Sequence, residues 1–372
     1  MPRRSDHRYW LYEHKYDSEG AFLDYVSGLV RETGIRINIL LVVCKTDIES
    51  ELKSWSPEKF SVNFKNSLPV FTIEIDKEFE IRETIKVKAV VLKYDETLPV
   101  YMVVSDCSAS DFKTVITKLV NKHYPEVSRI FLTNNEMRWI FERLERSTKS
   151  EIQVDSSIGK KRIPGMVKKK ESQVTYTNLP YAEVFDEIVA GDRWVQSIKF
   201  TASHVSRTKT EVIREYAYSG IVARDCFFSC QGTFQPFLES VLPQATRFAK
   251  ARVEYLRKRA ESAANPKPEP VVIKFPEELF ANPSKNKQYI DAIADLESCS
   301  ISEYHTNPYI HISILDYLDG SSYDLWVTSS DRIVIIPHFS ASTASMARLV
   351  NHIYERVHEG EHEEYADIFA TR

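Results

Sequence analysis

Glycine is scarce in this chain, with ten residues in 372. So few glycines leave little material for loops whose backbone amides cradle phosphate. Neither G-x-x-x-x-G-K-[ST] nor G-x-G-x-x-G occurs, which disfavours the common classes of nucleotide-dependent enzyme. Cysteine is scarcer still. The five residues, Cys44, Cys107, Cys226, Cys230 and Cys299, are odd in number and scattered. Several lie within apolar, strand-like runs, the pattern of reduced thiols in a cytoplasmic protein rather than of a disulfide framework. Long hydrophobic runs are missing as well. The longest, Ile37–Val43, is far short of a bilayer span. The first residues are charged and no apolar segment follows them, so neither a signal peptide nor a membrane partner is expected.

What is present is an aromatic-rich globular composition: 43% hydrophobic, 27% charged and 12% aromatic residues, with 19 Tyr and 19 Phe. A chain of this length is expected to form two or three domains, with cores large enough to need no disulfide or metal. The net charge of −4 is unevenly spread. Residues 1–150 are neutral, residues 151–265 carry +5 and residues 266–372 carry −9. Either the basic and acidic segments meet different partners, or they face each other within one molecule.

The hydrophobic periodicity predicts an α+β fold of three successive helix–antiparallel sheet–helix units. The first, 1–150, opens with a helix over 18–32 stopped by Gly34, followed by a strand at Ile37–Cys44 buried on both faces. A further helix is expected from Glu136, capped by Asn134 or Asn135. Residues 151–173, rich in Ser, Lys, Gly and Pro, read as a basic linker. The second unit, 174–264, has a helix over 181–190, strands to either side of a tight turn near Gly220, and a long helix from Phe234 broken before Pro243. Asn265-Pro-Lys-Pro-Glu-Pro270 is a stiff linker. The third unit, 271–372, alternates Ile310, Ile312 and Ile314 with Tyr309, His311 and Ser313, which gives a strand one buried face. It then turns at Asp319-Gly320 and closes with a helix over 341–356.

An echo supports a structural repeat. Ser108-Ala109-Ser110 precedes Leu119-Val120-Asn121-x-x-Tyr124-x-x-Val127, and Ser340-Ala341-Ser342 precedes Leu349-Val350-Asn351-x-x-Tyr354-x-x-Val357. In each, a serine is expected to cap the closing helix, and Leu, Val, Tyr and Val to form its buried face.

The motifs weigh against catalysis. His358-Glu359-Gly-Glu-His362 fits H-E-x-x-H, in which two imidazoles one helical turn apart share a zinc ion and Glu359 serves as base. Gly360 weakens that helix, however, and the stretch from Glu355 to Asp367 reads as a solvated acidic tail. Cys226, Cys230 and His204 lack a second C-x-x-C partner. Asp331, His338 and Ser340 or Ser342 are the residue types of a nucleophilic triad without a G-x-S-x-G elbow. His305 and His311 are separated by Asn-Pro and need not share a face. No cofactor is expected.

The strongest signal outside the core is basic. Lys160, Lys161 and Arg162 and then Lys168, Lys169 and Lys170 lie in one segment. Arg247, Lys250, Arg257, Lys258 and Arg259 stud the following helix. Such clusters neutralise phosphates by counterion release, although the aromatic–basic stacking signature of single-strand binders is missing. The leading expectation is therefore a non-catalytic cytoplasmic binding protein. Its basic middle unit would engage nucleic acid or another polyanion, and its acidic C-terminal unit would engage a protein or dock internally. The alternatives are an assembly subunit that pairs through sheet edges and aromatic faces, and a metal-dependent hydrolase using His358, Glu359 and His362.

Overall fold

The computed structural model describes residues 10–54, 60–64, 70–78, 84–95, 99–161, 171–207, 211–260, 268–338 and 340–365. The fold is α+β with antiparallel sheets. Two compact units divide the chain: residues 1–159, 172–190 and 195–249 form one, and residues 160–171, 191–194 and 250–372 the other.

The larger unit is organised by an eleven-stranded sheet. After a short helix α1 (Trp10–Glu13), helix α2 (Glu19–Thr33) follows the expected pattern. The Ser18 hydroxyl accepts from the Ala21 amide at its start, Gly34 closes it at φ 65°, and Phe22, Val26, Leu29 and Val30 are buried. Strand β1 (Ile37–Cys44) leads to α3 (Ile48–Ser54), then β2 (Phe60–Phe64), β3 (Val70–Glu78), β4 (Thr84–Asp95) and β5 (Val100–Ser105). A helix with a π turn over Lys113–Thr117 comes next, its halves being α4 (Ala109–Phe112) and α5 (Lys118–Lys122). Strand β6 (Val127–Arg129) pairs with β1. Helix α6 (Asn134–Thr148) is capped one residue earlier than the sequence suggests. Thr133 accepts from the Glu136 amide, and the Glu136 carboxylate accepts from the Thr133 amide, a reciprocal capping box.

Strands β7 (Glu151–Lys161) and β8 (Glu171–Pro180) occupy most of the stretch that reads as a basic linker. Ile152 and Val154 supply a buried alternation, which the lysine clusters mask in the sequence. Helix α7 (Tyr181–Ala190) is followed by β9 (Arg193–Arg207), β10 (Val212–Ala223) and β11 (Phe227–Gln231). Gly220 is no turn: β10 runs through it, paired with Phe200 on one side and Cys230 on the other. Glycine is needed there because a Cβ would fall 2.4 Å from Phe237 Cζ and 2.5 Å from the Ser229 carbonyl oxygen. A π turn over Phe237–Val241 then runs into α8 (Leu242–Arg257), so the chain near Pro243 widens its helix rather than ending it.

The strand order is β2-β3-β4-β5-β1-β11-β10-β9-β7-β8, with β6 also on β1. The stretches that read as separate first and second units thus share one sheet, joined where Ile37 of β1 lies opposite Cys230 of β11. Leu40, Val42 and Cys44 of β1 meet Phe112, Val115, Ile116 and Leu119 in one core. Ile39 and Leu41 are buried on the opposite face by the alternation of the strand. A second core is aromatic: Phe141 of α6 packs against Phe185 of α7 and Phe200 of β9, and Phe200 packs against Phe237.

The smaller unit has a six-stranded sheet in the order β13-β14-β15-β16-β12-β17. Its elements are β12 (Val271–Lys274), α9 (Asn286–Ala294), β13 (Cys299–His305), β14 (His311–Asp316), β15 (Ser322–Ser329), β16 (Arg332–Pro337), α10 (Thr343–Arg356) and β17 (Glu361–Glu363). Ile312 and Ile314 of β14, Tyr323 and Leu325 of β15, and Ile333 and Ile335 of β16 are all buried. The pairing register puts them on one face of the sheet. Ile290 and Ile293 of α9 and Met346, Leu349, Val350 and Ile353 of α10 are the buried stripes of the two helices.

The serine echo resolves into two different helix starts. Ser108, the first serine of its triplet, caps α4, whereas Ser342, the third of its triplet, caps α10. In the first copy the helix ends at Lys122, Tyr124 follows it and Val127 belongs to β6. In the second, Leu349, Val350 and Tyr354 all lie on α10. The shared letters therefore serve different positions.

Candidate functional site

Of the eleven basic residues singled out by the sequence, Arg162, Lys168, Lys169 and Lys170 lie outside the described residues, as does the side chain of Lys161 at the end of β7. Lys160 stands 5.1 Å over the ring of Trp194, a cation–π contact that leaves an ammonium directed by an aromatic face. Arg247 is exposed on α8 and stacks 6.0 Å over Trp139, whose ring meets Phe248 edge-on. Lys250 is half-buried, and Arg257 and Lys258 are exposed at the end of the same helix. Their spacing sets them along one helical face, where the exposed Glu254 interrupts them.

Arg259 is different. It is fully buried, with its guanidinium 3.7 Å over the Tyr255 ring. It donates to the Pro270 carbonyl at 3.0 Å and the Tyr255 carbonyl at 3.0 Å, and to Glu364 at 2.6 Å. A cation held by that many acceptors is a structural fastening and is removed from the surface set.

The H-E-x-x-H spacing does not fall on a helix. His362 lies in β17, opposite Ile273 of β12, so Glu361–Glu363 of that stretch form an added strand rather than a solvated end. Gly360, which reads as a helix breaker, permits the close approach. A Cβ there would come 2.5 Å from the Lys274 carbonyl oxygen and 2.7 Å from Ile273 Cγ2. His358 Nδ1 sits 2.6 Å from the Glu359 carbonyl oxygen. His362 stacks on Tyr255, and burial followed by the fields of Arg252 and Arg259 pushes its pKa down to about 3. Among the described residues no group of three or more His, Cys, Asp or Glu is arranged to hold a metal ion.

The other candidates also separate. Cys226 and Cys230 are buried free thiols, and Cys230 donates to the Thr233 carbonyl. Burial raises the Cys230 pKa well above that of an exposed thiol. His204 Nδ1 is paired with the Ser150 hydroxyl at 3.2 Å. Asp331 accepts from Ser329, and Ser342 is occupied as the cap of α10, its hydroxyl bonded to Asp319. His338 Nε2 lies 3.1 Å from Asp324 Oδ2, so it is not oriented by Asp331.

What the sequence did not bring together is the second face of the six-stranded sheet. His305 and His311 are directly opposite in the β13–β14 register. His305 stacks on Tyr309 with centroids 4.0 Å apart, and His311 stacks on Trp326 of β15, also at 4.0 Å. Tyr304 extends the second row, 4.8 Å from His311, and is 64% exposed. Asp324 Oδ2 lies 3.4 Å from His311 Nε2 as well as beside His338. Beyond the rings, Leu315, Tyr317 and Leu318 are exposed around the β14–β15 turn. The alternation of Tyr309, His311 and Ser313 with buried isoleucines signals such a face. The contribution of Trp326 comes only through strand pairing. An open face of aromatic rings with a few polar groups is the composition of a recognition surface.

No protein-family model matches the chain, and no curated protein matches its sequence.

Proposed function

We propose that the chain is a non-catalytic binding protein. Its basic segment engages nucleic acid or another polyanion, and its acidic C-terminal unit engages a protein. The observation that carries the first half is the outer face of α8, where Arg247, Arg257 and Lys258 are exposed on the helix that follows the basic run 160–170. Cations exposed on a surface release counterions when phosphates bind them. The second half rests on the exposed rings and apolar residues of a unit whose residues 266–372 carry −9.

A salt titration of binding to random duplex and single-stranded DNA and RNA tests the polyanion half. Affinity is expected to fall steeply with salt and to drop on joint reversal of Lys160, Lys161, Arg162, Lys168, Lys169 and Lys170 to Glu. Absence of binding at low salt, or indifference to those reversals, removes it. The assembly-subunit reading differs in having no polyanion at all, and light scattering with co-purification separates the two.

A further inference from the structure

Strand β13 ends the six-stranded sheet: it is hydrogen-bonded to β14 on one side and has no strand on the other among the described residues. Ser302, Glu303 and Tyr304 at this edge are exposed. A strand at the end of a sheet presents a row of backbone donors and acceptors, and such a row is a template for another extended chain. The opposite end of the sheet, β17, is only three residues long and is flanked by its own ion pairs, Glu363 with Arg332 at 2.8 Å and with Lys274 at 3.2 Å.

The two sides of the β13 edge differ chemically. On the helix side, the single ammonium of Lys287 on α9 is shared by Glu303 at 2.7 Å and Asp291 at 3.0 Å. Two carboxylates on one ammonium leave an uncompensated negative charge, set in a segment that carries −9. On the other side stand Tyr304, His305 and Tyr309. A register shift between Glu303 and His305 leaves Tyr304 without a partner opposite it on β14, so pairing has a defined stretch, Cys299–Glu303, with an aromatic ring at its end. A chain laid along this edge would alternate its side chains between the acidic side and the aromatic side.

We propose that the free edge of β13 receives an extended, basic segment of a partner protein as an added strand, one Lys or Arg set against Glu303 and Asp291 and one apolar or aromatic side chain against Tyr304. This deepens the protein-binding half of the reading above and rests on it. Backbone pairing supplies the affinity, and the carboxylates supply the sign of charge that is accepted.

The test uses the full chain and fluorescein-labelled nonapeptides alternating Lys and Val around one Phe, with anisotropy read at about 50 mM salt, where surface charge is weakly screened. Companion peptides carry Glu in place of Lys, or are N-methylated on one or the other alternate set of amides. The Lys peptide is expected to bind at least tenfold more tightly than the Glu peptide. One methylated set should abolish binding and the other leave it, since only alternate amides face a sheet edge. Glu303→Lys, at an exposed position, should weaken the Lys peptide and strengthen the Glu peptide, and Tyr304→Ala should weaken both. No binding by the Lys peptide, or equal binding by both methylated peptides, overturns the proposal. Binding that ignores Glu303→Lys but is lost in Tyr317→Ala with Leu318→Ala also overturns it, while leaving the protein-binding reading in place. Binding of an oligo(dT) probe that competes with the peptide and depends on Tyr304 assigns the surface to nucleic acid, which overturns both.

Discussion

His362 lies flat against Tyr255, with ring centroids 4.4 Å apart and planes 10° apart, and its Nε2 is buried with no hydrogen-bond partner among the described residues. The Tyr255 hydroxyl in turn donates to the Glu363 carbonyl at 2.9 Å and accepts from the Val272 amide at 3.1 Å. One side chain at the end of α8 thus holds the first strand of the smaller unit and the last.

Protonation of His362 opposes this arrangement. Its pKa is pushed from 6.5 to about 3 by burial and then by Arg252 and Arg259. The unfolded chain therefore binds a proton that the folded chain refuses between those two values, and stability falls as pH drops through that window. His362→Phe should keep the stack and remove the dependence. The loss of unfolding free energy between pH 7 and pH 4 should be smaller in the variant than in the parent by roughly 1–3 kcal/mol. Equal losses in denaturant titrations at the two pH values would refute the assignment.

Arg259→Met is expected to destabilise the smaller unit by roughly 1–3 kcal/mol, because the carboxylates left behind are solvated and only the carbonyl contacts and the stack are lost outright. Glu269 and Glu364 are 64% and 57% exposed. Hydrogen exchange should accelerate first in 361–365. Arg259→Lys should recover little, since an ammonium lacks the planar fork that reaches Pro270, Tyr255 and Glu364 together.

Gly220→Ala places a methyl carbon against the Phe237 ring and the Ser229 carbonyl. The carbonyl belongs to a paired strand and cannot give way. A loss of about 1–3 kcal/mol is expected from overpacking, read as a lower denaturation midpoint with unchanged slope.

The serine triplets offer an internal control. Ser108→Ala and Ser342→Ala each remove a hydroxyl that accepts from a first-turn amide, Asp111 in one case and Ser345 in the other. Each should cost about 1 kcal/mol. Ser110→Ala, inside the helix, should stay within about 0.5 kcal/mol. If Ser110 proves as important as Ser108, the capping assignment is wrong.

Local chemistry was legible in the sequence, and long-range pairing was not. Helix α2 carries its cap, stripe and stop in adjacent residues, and β14 declares its buried face by alternation. Gly220 reads as a turn because a glycine between two strand-like runs looks like one unless the ring of Phe237 is known to lie over it. The strand at His362 was hidden for a similar reason: three acidic-flanked residues have no β pattern of their own and are held by β12 and Tyr255. The open aromatic face was half visible, in Tyr309 and His311, while Trp326 joined it through a partner strand. Arg259 looked like its surface neighbours Arg257 and Lys258, and only the packing of the smaller unit distinguishes it.

The pairing of Ile37 with Cys230 has a consequence for biosynthesis. Strand β1 leaves the ribosome well before β11, which completes one of its flanks and lies about 190 residues further along the chain. Until then, an eight-residue and almost wholly apolar strand keeps an unsatisfied side. Nascent chains arrested between these points should be the species most in need of a holding chaperone.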